Sequence, residues 1–257
     1  MNVREFGEEG KPVIILLHGG GLSWWNYREE AAILQQDFHV VIPLLDGHAG
    51  SDRHFTSIEE SAAALCRYIG ARFNSSVLAI GGLSLGGQIL VEMLSQAPGI
   101  CRYALIESAL VIPMPVTGRM IGPAVRMSYG LIRQRWFARL QFAQLRMKPE
   151  LFEEYYEDSC RISREDLTAI LRSSSSYAVK GSLKETAAKA IIAVGGREQR
   201  KMLKSAALLH QSIPGSTMLV LPGYEHGALS LSHAARYAEL LRAGMKERSA
   251  EKETGNG

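Results

Sequence analysis

Gly82-Leu83-Ser84-Leu85-Gly86-Gly87 follows a short apolar run over 77–80 and precedes an apolar helix-like segment containing Ile89, Leu90, Met93 and Leu94. A serine that acts as a nucleophile must project its hydroxyl from a tight turn at the carboxyl end of a strand. Glycines two residues before and two after it relieve the crowding between strand and helix. The helix that starts there directs its first N–H groups toward the same point and favours negative charge. A glycine-rich turn with an idle serine has a similar composition, but the position between strand and helix favours a reactive Ser84.

The pattern repeats outward from this turn. Short β-branched runs cover 13–17, 39–45, 103–106, 190–194 and 218–221, each bounded by Gly, Pro or Asp, as expected of strands covered on both faces. Amphipathic helices lie between them. The one over 57–73 opens with Ser57 and Glu60 in capping-box spacing, and another spans 199–213. The fold class expected is α/β, with a mostly parallel central sheet and helices on both faces. One stretch breaks the alternation: 112–185 has no strand pattern, only helix-like segments punctuated by Pro113, Pro115, Pro123 and Pro149. The expected division is therefore a core of 1–111 and 186–246, a helical cap insertion over 112–185, and a charged, disordered tail over 247–257.

The 257 residues, 46% hydrophobic and 21% charged, suit a globular core that needs no disulfide or metal. A net charge of +3 without a block of like charges argues against nucleic acid as the partner. Cys66, Cys101 and Cys160 form no CxxC pair and are expected as isolated thiols in a reducing compartment. No signal peptide is read at the N-terminus and no run is long enough to span a bilayer, so the expected location is cytoplasmic.

Two further motifs carry chemistry. His18-Gly19-Gly20-Gly21 ends the 13–17 run. Acyl transfer needs backbone N–H donors aimed at an oxyanion, and glycines let the backbone come close to it. The expected pair is Gly20 and Leu85, with Gly21 as the alternative to Gly20; His18 is expected to orient the loop. His226, in Pro222-Gly223-Tyr224-Glu225-His226-Gly227, follows the last strand and can serve Ser84 as general base. The other histidines show no metal-ligand spacing. Trp24 and Trp25, next to the glycine loop, either wall an apolar substrate pocket or pack beneath the first helix. The arginines between Ile112 and Pro149, unaccompanied by Asp or Glu, read as a solvated face or as an attractor of an anionic substrate or surface.

Together these motifs resemble the α/β-hydrolase superfamily over nearly the whole chain, and most of all its smaller capped, esterase-like members. The segment Asp46-Gly47-His48-Ala49-Gly50-Ser51 resembles a structural turn common in that superfamily. The resemblance implies a Ser–His–acid triad, no cofactor and no metal, a small-molecule ester or acyl substrate, and a cap that shapes the pocket. It also implies an acid after the strand that follows the cap. An aspartate is usual there, but this chain has Gly195-Gly196-Arg197-Glu198. Glu198 is thus the expected acid and Glu107, which also follows a strand, its competitor. The expected activity is serine-hydrolase cleavage of carboxylic esters through an acyl-enzyme. Thioester, amide or carbon–carbon bond cleavage on the same triad is the alternative, and a low-turnover ligand sensor the further one.

Overall fold

A computed structural model of the chain describes residues 1–253, of which 246–253 are described as backbone only. The tail expected to be disordered, 247–257, thus lies outside the residues described with side chains. The strands are Val3–Phe6 (β1), Val13–Leu17 (β2), His39–Pro43 (β3), Val77–Leu83 (β4), Cys101–Glu107 (β5), Lys189–Gly195 (β6) and Thr217–Leu221 (β7). They form one sheet in the order β1-β3-β2-β4-β5-β6-β7. Every neighbouring pair is parallel except β1 with β3.

The helices are Arg28–Leu34 (α1), Ile58–Arg72 (α2), Leu85–Gln96 (α3), Pro115–Ser128 (α4), Arg135–Leu145 (α5), Phe152–Arg161 (α6), Arg164–Ser176 (α7), Arg200–Ser212 (α8), Ala228–Ser232 (α9) and Ala234–Glu253 (α10). Ser57 caps α2 by accepting the N–H of Glu60 at 3.1 Å, as the spacing of the two residues predicts.

Burial on both faces explains the continuous apolar strands. In β2, Ile15 and Leu17 pack into the layer with α2, α3 and α8, whereas Ile14 and Leu16 pack into the opposite layer with α1 and α10. All four are fully buried. Burying each such side chain contributes about 1.5–3 kcal/mol before conformational entropy is set against it.

The strand β1 is a finding that the sequence reading lacked. Val3-Arg4-Glu5-Phe6 is a half-exposed edge strand with two charged residues between two apolar ones, unlike the apolar runs of the parallel core. Between β5 and β6 the chain is helical, and polar contacts tie this segment to the sheet layer. Asp166 of α7 accepts the Phe55 N–H at 2.8 Å, and the Gln88 side chain of α3 donates to the carbonyls of Leu110 and Ser174 at 2.6 and 2.9 Å.

Candidate active site

The parallel strands end on the same edge of the sheet, and the turns leaving β2, β4, β6 and β7 meet there. Ser84 sits between β4 and α3 at φ 52° and ψ −109°. A non-glycine residue in such a region stores about 1–3 kcal/mol of strain, held only because the surroundings dictate the turn. A Cβ on Gly82 would lie 2.5 Å from the Gly86 carbonyl oxygen, and one on Gly86 only 2.1 Å from that of Leu17. The two glycines that flank the serine therefore admit no side chain. The Ser84 N–H donates to the Glu107 carbonyl at 2.9 Å, which fastens the turn to β5.

His226 lies between the serine and a carboxylate. Its Nε2 is 3.1 Å from Ser84 Oγ and its Nδ1 is 2.7 Å from Glu198 Oε2. The loops carrying the last two residues are tied together by the Arg197 N–H, which donates to the Tyr224 carbonyl at 2.9 Å. The second oxygen of Glu198, Oε1, accepts the Gly195 N–H at 2.8 Å and the Ser108 hydroxyl at 2.7 Å. Burial opposes ionisation of Glu198, but the bonds from His226, Ser108 and Gly195 outweigh it and hold its pKa below the ordinary value. Ser108 had no recognisable signal in the sequence; it follows β5 at φ 52°, a conformation that points its hydroxyl to Glu198.

Glu107 occupies a different place. Its carboxylate accepts the N–H groups of Leu229 and Ser230 at 3.1 and 3.3 Å instead of an imidazole N–H. Burial pushes its pKa up to about 7, against the hydrogen bonds from Ser230 and the nearby His226. The unfolded chain loses this proton near pH 4.5, whereas the folded chain keeps it to about 7. The group's contribution to stability therefore falls as pH rises between those values and levels off above them. A Glu107→Gln protein, permanently neutral, is expected to exceed wild type in stability by about 1–3 kcal/mol near pH 8. The gain should vanish near pH 4, and urea unfolding of the two proteins at both pH values checks it. Equal stability at both would refute the shifted titration.

The glycine loop after β2 is held by two histidines. His18 Nε2 accepts the Leu45 N–H at 3.1 Å while its Nδ1 lies 3.0 Å from the Gly19 carbonyl. His48 Nε2 accepts the Gly21 N–H at 3.0 Å while its Nδ1 lies 3.0 Å from the Asp46 carbonyl. Each ring must donate from Nδ1 and accept at Nε2, which is the neutral form. Burial, reinforced by the neighbouring His48, lowers the His18 pKa to about 3, and burial also lowers that of His48. The Gly21 N–H is thereby consumed, and the Gly19 N–H is taken by Asn26 Oδ1 at 3.2 Å. The N–H groups of Gly20 and Leu85 have no hydrogen-bond partner among the described residues. A Cβ on Gly20 would sit 3.5 Å from that of Leu85, so the two donors are neighbours.

The tryptophans pack into the molecule. Trp25 is buried in the core layer beneath α1 and α10, its indole N–H donating to Asp158 of α6 at 2.8 Å. Trp24 stacks on Phe6 with the Arg28 guanidinium 4.8 Å from its ring centre. Large apolar rings with polar partners of this kind are satisfied by burial; Trp25 also lines a cavity of about 220 Å³ with Arg28, Glu30, Lys148 and Ser230, and neither ring lines the cavity beside His226. A cavity of about 280 Å³ does open beside His226, lined among others by Leu145, Arg146, Tyr224 and Glu225. Arg146, following α5, pairs with Glu225 at 2.8 Å and ties the helical segment to the histidine loop. Among the described residues, no group of three or more His, Cys, Asp or Glu side chains is placed to hold a metal ion.

Comparison with known proteins agrees with this architecture. Residues 14–240 match the profile of the Alpha/beta hydrolase family. An AB hydrolase superfamily protein of Gibberella zeae is 29% identical over 143 residues, covering 52% of this chain and 48% of its own length. The chain thus spans about half the length of that curated relative. Among solved structures, a hydrolase of Pseudomonas aeruginosa superposes with a TM-score of 0.80 at 15% identity, over 95% of this chain and 93% of that one. A thermophilic esterase of Thermogutta terrifontis gives 0.76 at 17%, over 96% and 93%. An enol-lactonase of Burkholderia xenovorans gives 0.78 at 15%, over 95% of both chains. At such identities the superpositions speak for the fold, while the profile match covers most of the sequence: the chain belongs to the alpha/beta hydrolase family.

Proposed function

We propose that the protein is a serine hydrolase that cleaves carboxylic esters of small molecules through an acyl-enzyme. The observation that carries the reading is the imidazole of His226, set 3.1 Å from a serine hydroxyl and 2.7 Å from a buried carboxylate. Ser84 Oγ attacks the ester carbonyl as His226 Nε2 takes its proton. Glu198 accepts the Nδ1–H, holds the ring in that tautomer and stabilises the imidazolium. The N–H groups of Gly20 and Leu85 donate to the oxyanion of the tetrahedral intermediate. Its collapse breaks the carbon–oxygen bond, and the alcohol leaves with the proton from His226. Water then attacks the acyl-Ser84 ester by the same route, which releases the acid and restores the hydroxyl. The segment 112–185 acts as the cap and shapes the acyl or alcohol pocket.

A substrate panel tests the bond class. Short p-nitrophenyl esters are expected to turn over with kcat/KM at least about tenfold above matched acyl-CoA thioesters and anilides. Preference for the thioester or the anilide would transfer the assignment to that bond. Tight binding without turnover across the whole panel would replace the enzyme by a sensor.

A further inference from the structure

The helical segment between β5 and β6 carries a surface that ester chemistry does not use. Along α4, Val116, Met120 and Met127 recur at spacings of four and seven, which places them on one helical face. That face meets solvent: Val116 is 75% exposed, Met120 61% and Met127 86%. The opposite side of α4 holds the buried Ile121 and Val125, and Gly118 and Gly122 face Ser175 and Arg172 of α7. The helix is therefore fixed with its apolar stripe outward. On α5, Trp136 and Leu140 are one turn apart and exposed, while Ala138 and Phe142 are buried. Single exposed apolar residues need no explanation, but three large ones aligned on one helical face mark a contact surface.

Charge selects the occupant. Arg119 and Arg126 lie along one side of the stripe of α4 without a carboxylate at ion-pair distance among the described residues, whereas Arg135, Arg146 and Lys148 of the same segment pair with Glu153, Glu225 and Glu29. Between α4 and α7 an open cavity of about 680 Å³ is lined by Arg126, Arg164 and Arg172 with Thr168, Arg164 being paired with Glu165 at 2.9 Å. We propose that the exposed apolar face of α4 docks on the surface of an anionic phospholipid bilayer. Val116, Met120 and Met127 enter the acyl boundary while Arg119 and Arg126 meet lipid phosphates. The helices lie on such a surface, since no helix among the described residues is long and apolar enough to cross one. A second copy packed face to face would instead bring the two arginine rims together at a repulsive cost. The docking does not depend on the ester reading and is measured without turnover.

Co-sedimentation with vesicles tests it. The protein is expected to bind phosphatidylcholine vesicles containing about 30% phosphatidylglycerol at least about tenfold more tightly than phosphatidylcholine alone, and high salt should reduce the difference. Met120→Glu with Met127→Glu, and separately Arg119→Glu with Arg126→Glu, should each lose about tenfold or more in binding. These exposed positions should leave circular dichroism and the melting temperature unchanged. Equal binding to both vesicle types, no binding to either, or full binding by both folded double variants would overturn the proposal. A concentration-dependent dimer that the methionine variant dissolves, without vesicle binding, would assign the face to self-association.

Discussion

Replacing Ser84 by Ala is expected to abolish labelling by a fluorophosphonate probe and to lower kcat for ester turnover by about 100,000-fold. The probe reports a serine whose proton is accepted by a partner and whose attack is met by oxyanion donors, the roles proposed for His226 and for the N–H groups of Gly20 and Leu85. The neighbouring N–H donors belong to the backbone and survive the substitution, so residual turnover above the uncatalysed rate should persist. The change also removes a hydroxyl from a strained turn and adds nothing, so the fold should be retained. Equal labelling of Ser84→Ala and wild type would end the assignment.

Glu198→Gln is expected to lower kcat by about 10,000-fold with little change in KM. The reason lies in what holds the carboxylate. Oε1 accepts the Gly195 N–H and the Ser108 hydroxyl, so a glutamine would place its carbonyl oxygen there and turn its NH2 toward His226. The imidazole would have to accept at Nδ1 and carry its proton on Nε2, the nitrogen that must take the proton of Ser84. In the same assay Glu107→Gln should keep kcat within a few-fold, because its carboxyl meets the N–H groups of Leu229 and Ser230 instead of an imidazole. A reversed ranking of the two variants would move the acid role to Glu107.

Much of the scaffold was readable because covered parallel strands leave a strong signal. The run over 13–17 coincides with β2, and the elbow extended β4 only by the residues that lead into Ser84. β1 escaped because a four-residue edge strand with adjacent charges at Arg4 and Glu5 has no strand periodicity and looks like polar coil. Ser84, Glu198 and His226 were legible from the turns they occupy, and their approach to one another was not, since it depends on strand order. The proposal of Gly20 over Gly21 as oxyanion donor drew on coordinates for a plain reason: the Gly21 N–H donates to His48, twenty-seven residues away. Trp24 and Trp25 were ambiguous because a large ring beside a glycine loop has the same sequence whether it packs or lines a cavity.

The two neutral imidazoles behind the glycine loop have an effect on what the loop can bind. Because His18 and His48 must stay uncharged to accept the N–H groups of Leu45 and Gly21, the loop proposed to host the oxyanion offers backbone dipoles and no charged imidazole. A dipolar host grips a charge that appears briefly at short range but exerts little pull from a distance. On the proposed reading, chloride and buffer anions should gain little by lodging there, and a carboxylate product should find no fixed charge in the loop to retain it.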